Sequence, residues 1–202
     1  MKKNNVSISK TNKKMGGIPS ISFPPVVTCA NCTECAKKCY ALKMQRIYKS
    51  VKNAWANNLS EWQNSPDSVK NAILSSALVS SYFRYFVGGD IPDAKFFKVM
   101  VDIAKKIKTC QFLAFTKKYN IVNDFIFNGG KMPKNLHIIF SGWGDALKPV
   151  NPYSLPESNV IFKGQEPPKK ALICGGSCSS CICQGVGCWQ LKKSDTIYFY
   201  EH

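Results

Sequence analysis

The fold is decided by the stretch from residue 82 to residue 116, which reads YFRYFVGGDIPDAKFFKVMVDIAKKIKTCQFLAFT. It begins with an apolar run, 82–87, that ends at two glycines and an aspartate. A helix is predicted from Pro92, because apolar residues recur at helical spacing as far as Ile107. A second apolar run, 110–115, then predicts another strand. Strand, helix and strand in this order are typical of a parallel sheet with right-handed crossovers.

The same alternation extends on both sides of this stretch. Residues 40–63 carry apolar residues at helical spacing, and the sequence 65–67, Ser-Pro-Asp, predicts the start of a second helix ending near residue 80. A short helix is expected near 119–127, and strands are expected at 136–140 and 159–162. These strands are too few for a complete eight-stranded barrel. We therefore expect an α/β fold, a partial (β/α) barrel or open parallel sheet with cysteine-rich metal-binding segments at both ends.

Length and composition point to one domain. The chain has 202 residues and 45% of them are hydrophobic, which excludes an intrinsically disordered chain. We expect a basic flexible arm at 1–15 and a single α/β domain at 16–202. The sequence has neither a membrane-spanning apolar stretch nor the apolar run of a secretory signal near its start. A cytoplasmic location, with no membrane partner, is therefore expected.

Basic residues are concentrated near the start of the chain. The net charge is +16, and residues 1–52 contain eleven lysines and arginines but one acid, Glu34. Such a basic face can bind a polyanion such as nucleic acid, or simply keep the protein soluble. It can also offset the negative charge of metal-bound thiolates.

Nine of the ten cysteines fall into two short segments. The first has the spacing C-x2-C-x2-C-x3-C, and the second has the spacing C-x3-C-x2-C-x-C-x4-C. The remaining one, Cys110, lies in an apolar run and is expected in a core strand. The two segments comprise Cys29, Cys32, Cys35 and Cys39, and Cys174, Cys178, Cys181, Cys183 and Cys188.

Metal binding is the favoured interpretation of both segments. Disulfides belong to oxidising compartments and to small domains without a core, and neither applies here. Only two histidines are present, so a metal site must consist almost entirely of thiolates. Zinc and iron–sulfur clusters both suit four cysteines. The first spacing favours iron–sulfur because it matches the run of bacterial ferredoxins, although Tyr40 replaces the usual proline after Cys39.

The second segment contains the C-x3-C-x2-C spacing of radical S-adenosylmethionine enzymes, at Cys174, Cys178 and Cys181. That spacing arises easily in a cysteine-dense tail, and it lies at the opposite end of the chain from its usual place. We therefore interpret the segment as a metal knuckle that is closed by Cys188-Trp189.

Polar residues follow the predicted strands, and in parallel sheets the carboxyl ends of strands carry the chemistry. Gly88 and Gly89 would permit close approach of a cofactor, while Asp90 either binds the ligand or caps the following helix. Lys117 is either solvated or meets an anion. After the next strand, Ser141 is a candidate cofactor contact, and Asp145 is a candidate catalytic or turn residue.

These motifs resemble those of the phage gene product 88 family. The resemblance is carried by Cys29, by Cys35-Ala36-Lys37-Lys38-Cys39-Tyr40, by the strand ends at Gly89-Asp90, Lys117 and Ser141, and by Cys178, Cys181 and Cys188-Trp189. It implies a partial barrel related to those of radical enzymes, with iron–sulfur ligands among Cys29, Cys35, Cys39, Cys178, Cys181 and Cys188. Cys32 and the crowded Cys181-Ile182-Cys183 depart from the family pattern.

Three functions are compatible with these features. The first is a phage-type iron–sulfur protein with one or two clusters, of 4Fe–4S type, and a radical or redox reaction on a small molecule or nucleotide at the rim. In it, Asp90 and Lys117 orient the substrate, with S-adenosylmethionine as a candidate cofactor. The second is a nucleic-acid-binding module stapled by zinc or iron–sulfur, and the third is an electron-transfer or redox-sensing protein. A phage-encoded protein would act in the host cytoplasm.

Overall fold

The architecture is a seven-stranded, entirely parallel sheet with most of its helices on one face and a short helix and a 3-10 turn on the other. The computed structural model describes residues 6–29 and 33–201. The strand order is β1-β2-β3-β4-β5-β7-β6, so the sheet is open, with β1 and β6 at its edges. The strands are β1 Ser20–Ile21, β2 Tyr82–Tyr85, β3 Gln111–Thr116, β4 Leu136–Ser141, β5 Glu157–Ile161, β6 Leu172–Ile173 and β7 Thr196–Tyr200. The predicted α/β class and parallel sheet are confirmed.

The helices follow from local sequence signals. Pro66 occupies the first position of α4, where its missing N–H costs nothing. The Asp93 carboxylate caps α5 by accepting a hydrogen bond from the Phe96 N–H at 2.8 Å. The helical segments are α1 Glu34–Lys37, α2 Tyr40–Ile47, α3 Lys49–Asn64, α4 Pro66–Leu78, α5 Ala94–Lys106, α6 Tyr119–Phe127, α7 Cys178–Cys183 and a 3-10 turn, Gly187–Trp189.

Alternate residues of each strand face opposite layers. On β2, Phe83 and Tyr85 belong to the main core beneath α3–α6, whereas Tyr82 belongs to the opposite face. That opposite face is covered by a smaller cluster in which Met15 and Trp189 are buried. The chain's start and its second cysteine segment therefore share one face of the sheet.

The sheet is strongly curved. Phe115 on β3 and Phe199 on β7 have ring centroids 5.6 Å apart, although two strands lie between theirs. Three strand spacings of a flat sheet would span about 14 Å. The sheet therefore curves towards the face that carries Met15 and Trp189, and we call this face the concave face.

The structure differs from the sequence-based expectations in three places. The helix predicted over 40–63 is broken at Tyr48, whose backbone is extended, and α3 then takes a direction that lays Trp55 over Gly88. The strands β1, β6 and β7 were not predicted. Residues 6–15 pack on the fold instead of forming a flexible arm, with a hydrogen bond from the Ser7 N–H to Asn58.

No helix in the described parts of the chain is long and apolar enough to span a bilayer. Residues 1–5 of the predicted arm lie outside the described residues.

Candidate functional site

The carboxyl ends of the strands bring the predicted rim residues to one edge of the sheet. Because β2, β3 and β4 are parallel neighbours, the residues that follow them lie side by side. Asp90 follows β2, Lys117 follows β3, and Ser141 ends β4. The structure therefore brings these three predicted site residues together.

Asp90 links the ends of three strands. Its Oδ1 accepts hydrogen bonds from Thr116 Oγ1 at 2.6 Å and from the Ile91 N–H at 2.7 Å, and its Oδ2 accepts one from the Lys117 N–H at 2.7 Å. The Asp90 N–H in turn donates to Thr28 Oγ1 at 2.9 Å. Burial raises the pKa of the Asp90 carboxyl, and the hydrogen bonds from Thr116, Lys117 and Ile91 oppose that rise. The carboxylate is therefore engaged within the protein, and Asp93, not Asp90, caps α5.

The ammonium group of Lys117 lies at the rim. Its Nζ donates to Ser141 Oγ at 3.2 Å, so the ammonium group meets a neutral hydroxyl. The Ser141 carbonyl oxygen accepts a hydrogen bond from the Tyr119 hydroxyl, which fixes the end of β4. In the described part of the chain, Lys117 forms no ion pair. This half-buried cation is suited to binding an anionic group at the rim.

The two predicted cofactor-binding glycines face the protein itself. A Cβ on Gly88 would lie 2.3 Å from the Trp55 ring. Gly89 has a φ of +76°, and a Cβ there would lie 2.5 Å from the Phe23 carbonyl oxygen. Both positions require glycine because neighbouring segments approach so closely.

Asp145 does not join the rim residues. Its side chain is 96% exposed and pairs with Lys148 Nζ at 2.9 Å. The Lys148 side chain lowers the pKa of the Asp145 carboxyl, as expected for an exposed ion pair.

The first cysteine segment follows β1 and lies at the same rim. Lys38 Nζ pairs with Glu201 Oε1 at 2.5 Å, which ties this segment to the residue after β7. The Tyr40 hydroxyl donates to the Val87 carbonyl oxygen beyond β2. Desolvation raises the pKa of the Tyr40 hydroxyl, Arg84 lowers it, and Cys39 and Cys29 raise it further. The predicted ligand Cys32 lies outside the described residues.

The second cysteine segment lies on the concave face. The Cys178 N–H donates to the Lys14 carbonyl oxygen at 2.8 Å, and Trp189 packs edge-on against Tyr82 with centroids 5.0 Å apart. Gly187 has a φ of +80°, and a Cβ there would lie 3.1 Å from Cys181 Sγ. The turn that carries Cys188 is thereby folded back onto α7.

Four of the five thiols of this segment interact electrostatically. Burial raises the pKa of the Cys188 thiol to about 12, Arg84 opposes the rise, and Cys174, Cys178 and Cys181 add to it. The pKa of Cys181 is raised by burial and by Cys174 and Cys178. We call Cys174, Cys178, Cys181 and Cys188 the concave-face thiols. Cys183 is exposed and does not contribute to these shifts.

Arg84 lies between the two cysteine segments. Its charge acts on both Tyr40 and Cys188, and its guanidinium lies 4.5 Å from the centroid of the Phe115 ring. The Arg84 Nε is buried and has no hydrogen-bond partner among residues 6–29 and 33–201. The sequence places Arg84 in the strand-end motif Phe83-Arg84 that resembles the family, but it predicts no site role for this arginine, because its position depends on how the sheet curves.

Cysteine thiolates are suitable metal ligands, but the described thiols are not arranged around a common metal position. Seven of the described cysteines are free thiols, namely Cys39, Cys110, Cys174, Cys178, Cys181, Cys183 and Cys188. Within residues 6–29 and 33–201, no three His, Cys, Asp or Glu side chains are grouped closely enough to hold a metal ion. Cys110, as expected, is buried in the core, and burial raises its pKa to about 12. Metal binding by the four concave-face thiols, all of which are described, would require them to move together.

The comparison with protein families identifies the chain. A family model described as Gene product 88 matches residues 1–188. The chain belongs to the gene product 88 family. The match confirms the family resemblance and extends over the rim residues and both cysteine segments of this gene product 88 protein. No curated protein and no solved structure matches the chain.

Proposed function

We propose that this gene product 88 protein binds an iron–sulfur cluster, of 4Fe–4S type, through the concave-face thiols. The observation that carries the proposal is the proximity of the four thiols: Gly187 lies against Cys181 beside Cys188, and Cys174 and Cys178 are close enough to add to the burial-driven rise in the pKa of both Cys181 and Cys188. When these thiols ionise to bind a metal, their negative charges lie close together, and a shared cation removes the repulsion between them. Cys29, Cys35, Cys39 and Cys32 are the candidate ligands of a second cluster at the rim.

The surroundings of these thiols favour a negatively charged group. Burial raises the pKa of Cys188 and of Cys181, and the positive charges of Arg84 and Lys14, respectively, oppose that rise. Two cations beside four thiols offset the net negative charge of a thiolate cluster. Trp189, next to Cys188, is 4% exposed and anchors this segment in the cluster on the concave face.

The proposed activity is a radical or redox reaction on a small anionic molecule or nucleotide at the rim. The cluster, when bound, would supply one-electron chemistry. Lys117 would bind an anionic group of the substrate with its Nζ, and Ser141 Oγ would orient that Nζ. Asp90 holds the backbone of Lys117 and is a positioning residue.

The ligand set is tested by anaerobic reconstitution with iron and sulfide, followed by visible absorption near 400 nm. Cys178→Ser and Cys181→Ser are expected to lose most of the absorption of the concave-face cluster, because each removes one of its four ligands. Cys183→Ser is the matched control, since it changes a thiol of the same helix that lies apart from the other four. Equal absorption in all three variants and the unsubstituted protein would contradict this ligand set.

The proposed reaction needs a separate experiment. The reduced, reconstituted protein is incubated with S-adenosylmethionine, and 5′-deoxyadenosine is measured as the product of reductive cleavage. Cleavage supports the radical-type reaction. Full cluster occupancy without cleavage, together with reversible reduction, would instead indicate an electron-transfer protein.

A further inference from the structure

The corner between α2 and α3 forms an open notch that the proposed cluster does not use. Its volume is about 450 Å³. The lining combines three cations with two side-chain amides and one leucine, namely Arg46, Lys49, Lys52, Gln45, Asn53 and Leu42. We call this feature the basic notch.

The positive charges of the basic notch are not neutralised by the protein. In the described part of the chain, Arg46, Lys49 and Lys52 form no ion pair. Glu34 is the only acid in the sequence before Glu61, and it already pairs with Lys37 Nζ at 2.9 Å. Like charges held around one notch repel each other, and an anion bound between them removes that repulsion.

The shape and the neighbours of the notch indicate which anion it fits. The notch is open and its cations are exposed, which suits a passing chain better than an enclosed small molecule. Tyr48 stands at the corner between the two helices with 49% of its surface exposed. Cations that contact phosphates beside an exposed aromatic ring are the combination by which proteins hold single-stranded nucleic acid. The net charge of +16 adds long-range attraction for a polyanion.

We propose that the basic notch binds the sugar–phosphate backbone of single-stranded nucleic acid, with Tyr48 stacking on a base. Arg46, Lys49 and Lys52 contact phosphate oxygens, and the Gln45 and Asn53 amides donate further hydrogen bonds. This inference does not rest on the iron–sulfur cluster, because the notch contains no cysteine.

The test is the binding of a fluorescent single-stranded oligonucleotide, measured by anisotropy over a range of salt concentrations. In the variant R46Q/K49Q/K52Q, removal of three phosphate contacts is expected to reduce the slope of log K against log salt by about 2. Affinity at low salt should fall by about tenfold or more. The matched control is K105Q/K106Q/K108Q, which removes the same charge from exposed lysines just after and at the end of α5. The control should retain most of the affinity and its salt slope.

Tyr48 gives an independent readout. Tyr48→Phe keeps the aromatic ring and should bind as the unsubstituted protein does, whereas Tyr48→Leu should lose at least about fivefold in affinity. Circular dichroism of each variant distinguishes loss of binding from loss of folding.

Three results would overturn the proposal. Equal weakening by both triple variants would mean that the charge acts diffusely and that the notch is not a site. Displacement of the oligonucleotide by ADP or inorganic phosphate at a concentration equal to that of the protein would mean that the ligand is a free phosphate compound. Absence of oligonucleotide binding by the unsubstituted protein at low salt would exclude nucleic acid altogether.

Discussion

The rim around Asp90 and the concave-face thiols differ in how the protein surrounds their ionisable groups. At the rim, both carboxylate oxygens of Asp90 accept hydrogen bonds from Thr116, Ile91 and Lys117, so the buried charge is satisfied within the fold. On the concave face, Cys181 and Cys188 meet other thiols that raise their pKa values. The first region is complete as folded, whereas under our proposal the second gains stability when a cation binds. Substitutions in the two regions should therefore affect different properties.

Asp90→Ala is expected to have the largest effect on folding. It leaves the buried N–H groups of Ile91 and Lys117 without an acceptor, which should lower the free energy of unfolding by about 2–5 kcal/mol. Urea denaturation followed by circular dichroism measures the change. Asp145→Ala is the control and should cause no measurable change, because that side chain is 96% exposed. A loss below about 1 kcal/mol for Asp90→Ala would mean that the carboxylate does not hold the strand ends together.

Gly88→Ala should have a smaller effect of the same kind. The added methyl group would lie 2.3 Å from the Trp55 ring, so α3 has to shift, at a cost of about 1–3 kcal/mol. Gly17→Ala is the control, since a Cβ at Gly17 meets nothing within 4 Å. Equal melting temperatures for the two variants would show that α3 does not depend on this contact.

The concave face should show a modest pH dependence through His137. Burial lowers the pKa of this imidazole, whose Nε2 lies 3.0 Å from Gln111 Oε1. The unfolded chain therefore binds a proton more readily than the folded one. The contribution of His137 to the free energy of unfolding should be fully present above the unfolded-state pKa of about 6.5. It should decrease as the pH falls below that value. His137→Gln should flatten that part of the curve in urea titrations of the metal-free protein, and an unchanged curve would assign the dependence to other groups.

Cys181→Ala in the metal-free protein should have the smallest effect on stability. Its thiol is partly exposed and its raised pKa keeps it uncharged near pH 7, so the free energy of unfolding should change by no more than about 0.5 kcal/mol. The same substitution should prevent cluster formation. A loss above about 2 kcal/mol without metal would show that the thiol is a structural part of the core, and the contrast between the two regions would fail.

The central strands and helices could be predicted because their signals are local. The alternation in β2 and the spacing in α5 are visible in the sequence, and both elements are confirmed within a few residues. The break between α2 and α3 at Tyr48 was not predicted. It accompanies a tertiary contact, the approach of Trp55 to Gly88, which local sequence patterns do not show. The two-residue strands β1 and β6 are too short to give a pattern, whereas TIYFY at 196–200 carries the β-branched and aromatic signal of β7.

The candidate site was predictable in its residue types but not in its grouping. Strand order alone places Asp90, Lys117 and Ser141 side by side, as expected for carboxyl ends of neighbouring parallel strands. The separation of Cys183 from the other thiols depends on how α7 packs against the sheet. The position of Arg84 between the cysteine segments depends on curvature, which no short motif encodes.

The most direct test of the central claim is the content of iron and acid-labile sulfide per chain after anaerobic purification. We predict a brown protein with broad absorption near 400 nm and about four iron and four sulfide for each cluster. A colourless protein that holds stoichiometric zinc, even after reconstitution with iron and sulfide, would contradict the iron–sulfur account. The thiols would then act as a structural zinc site.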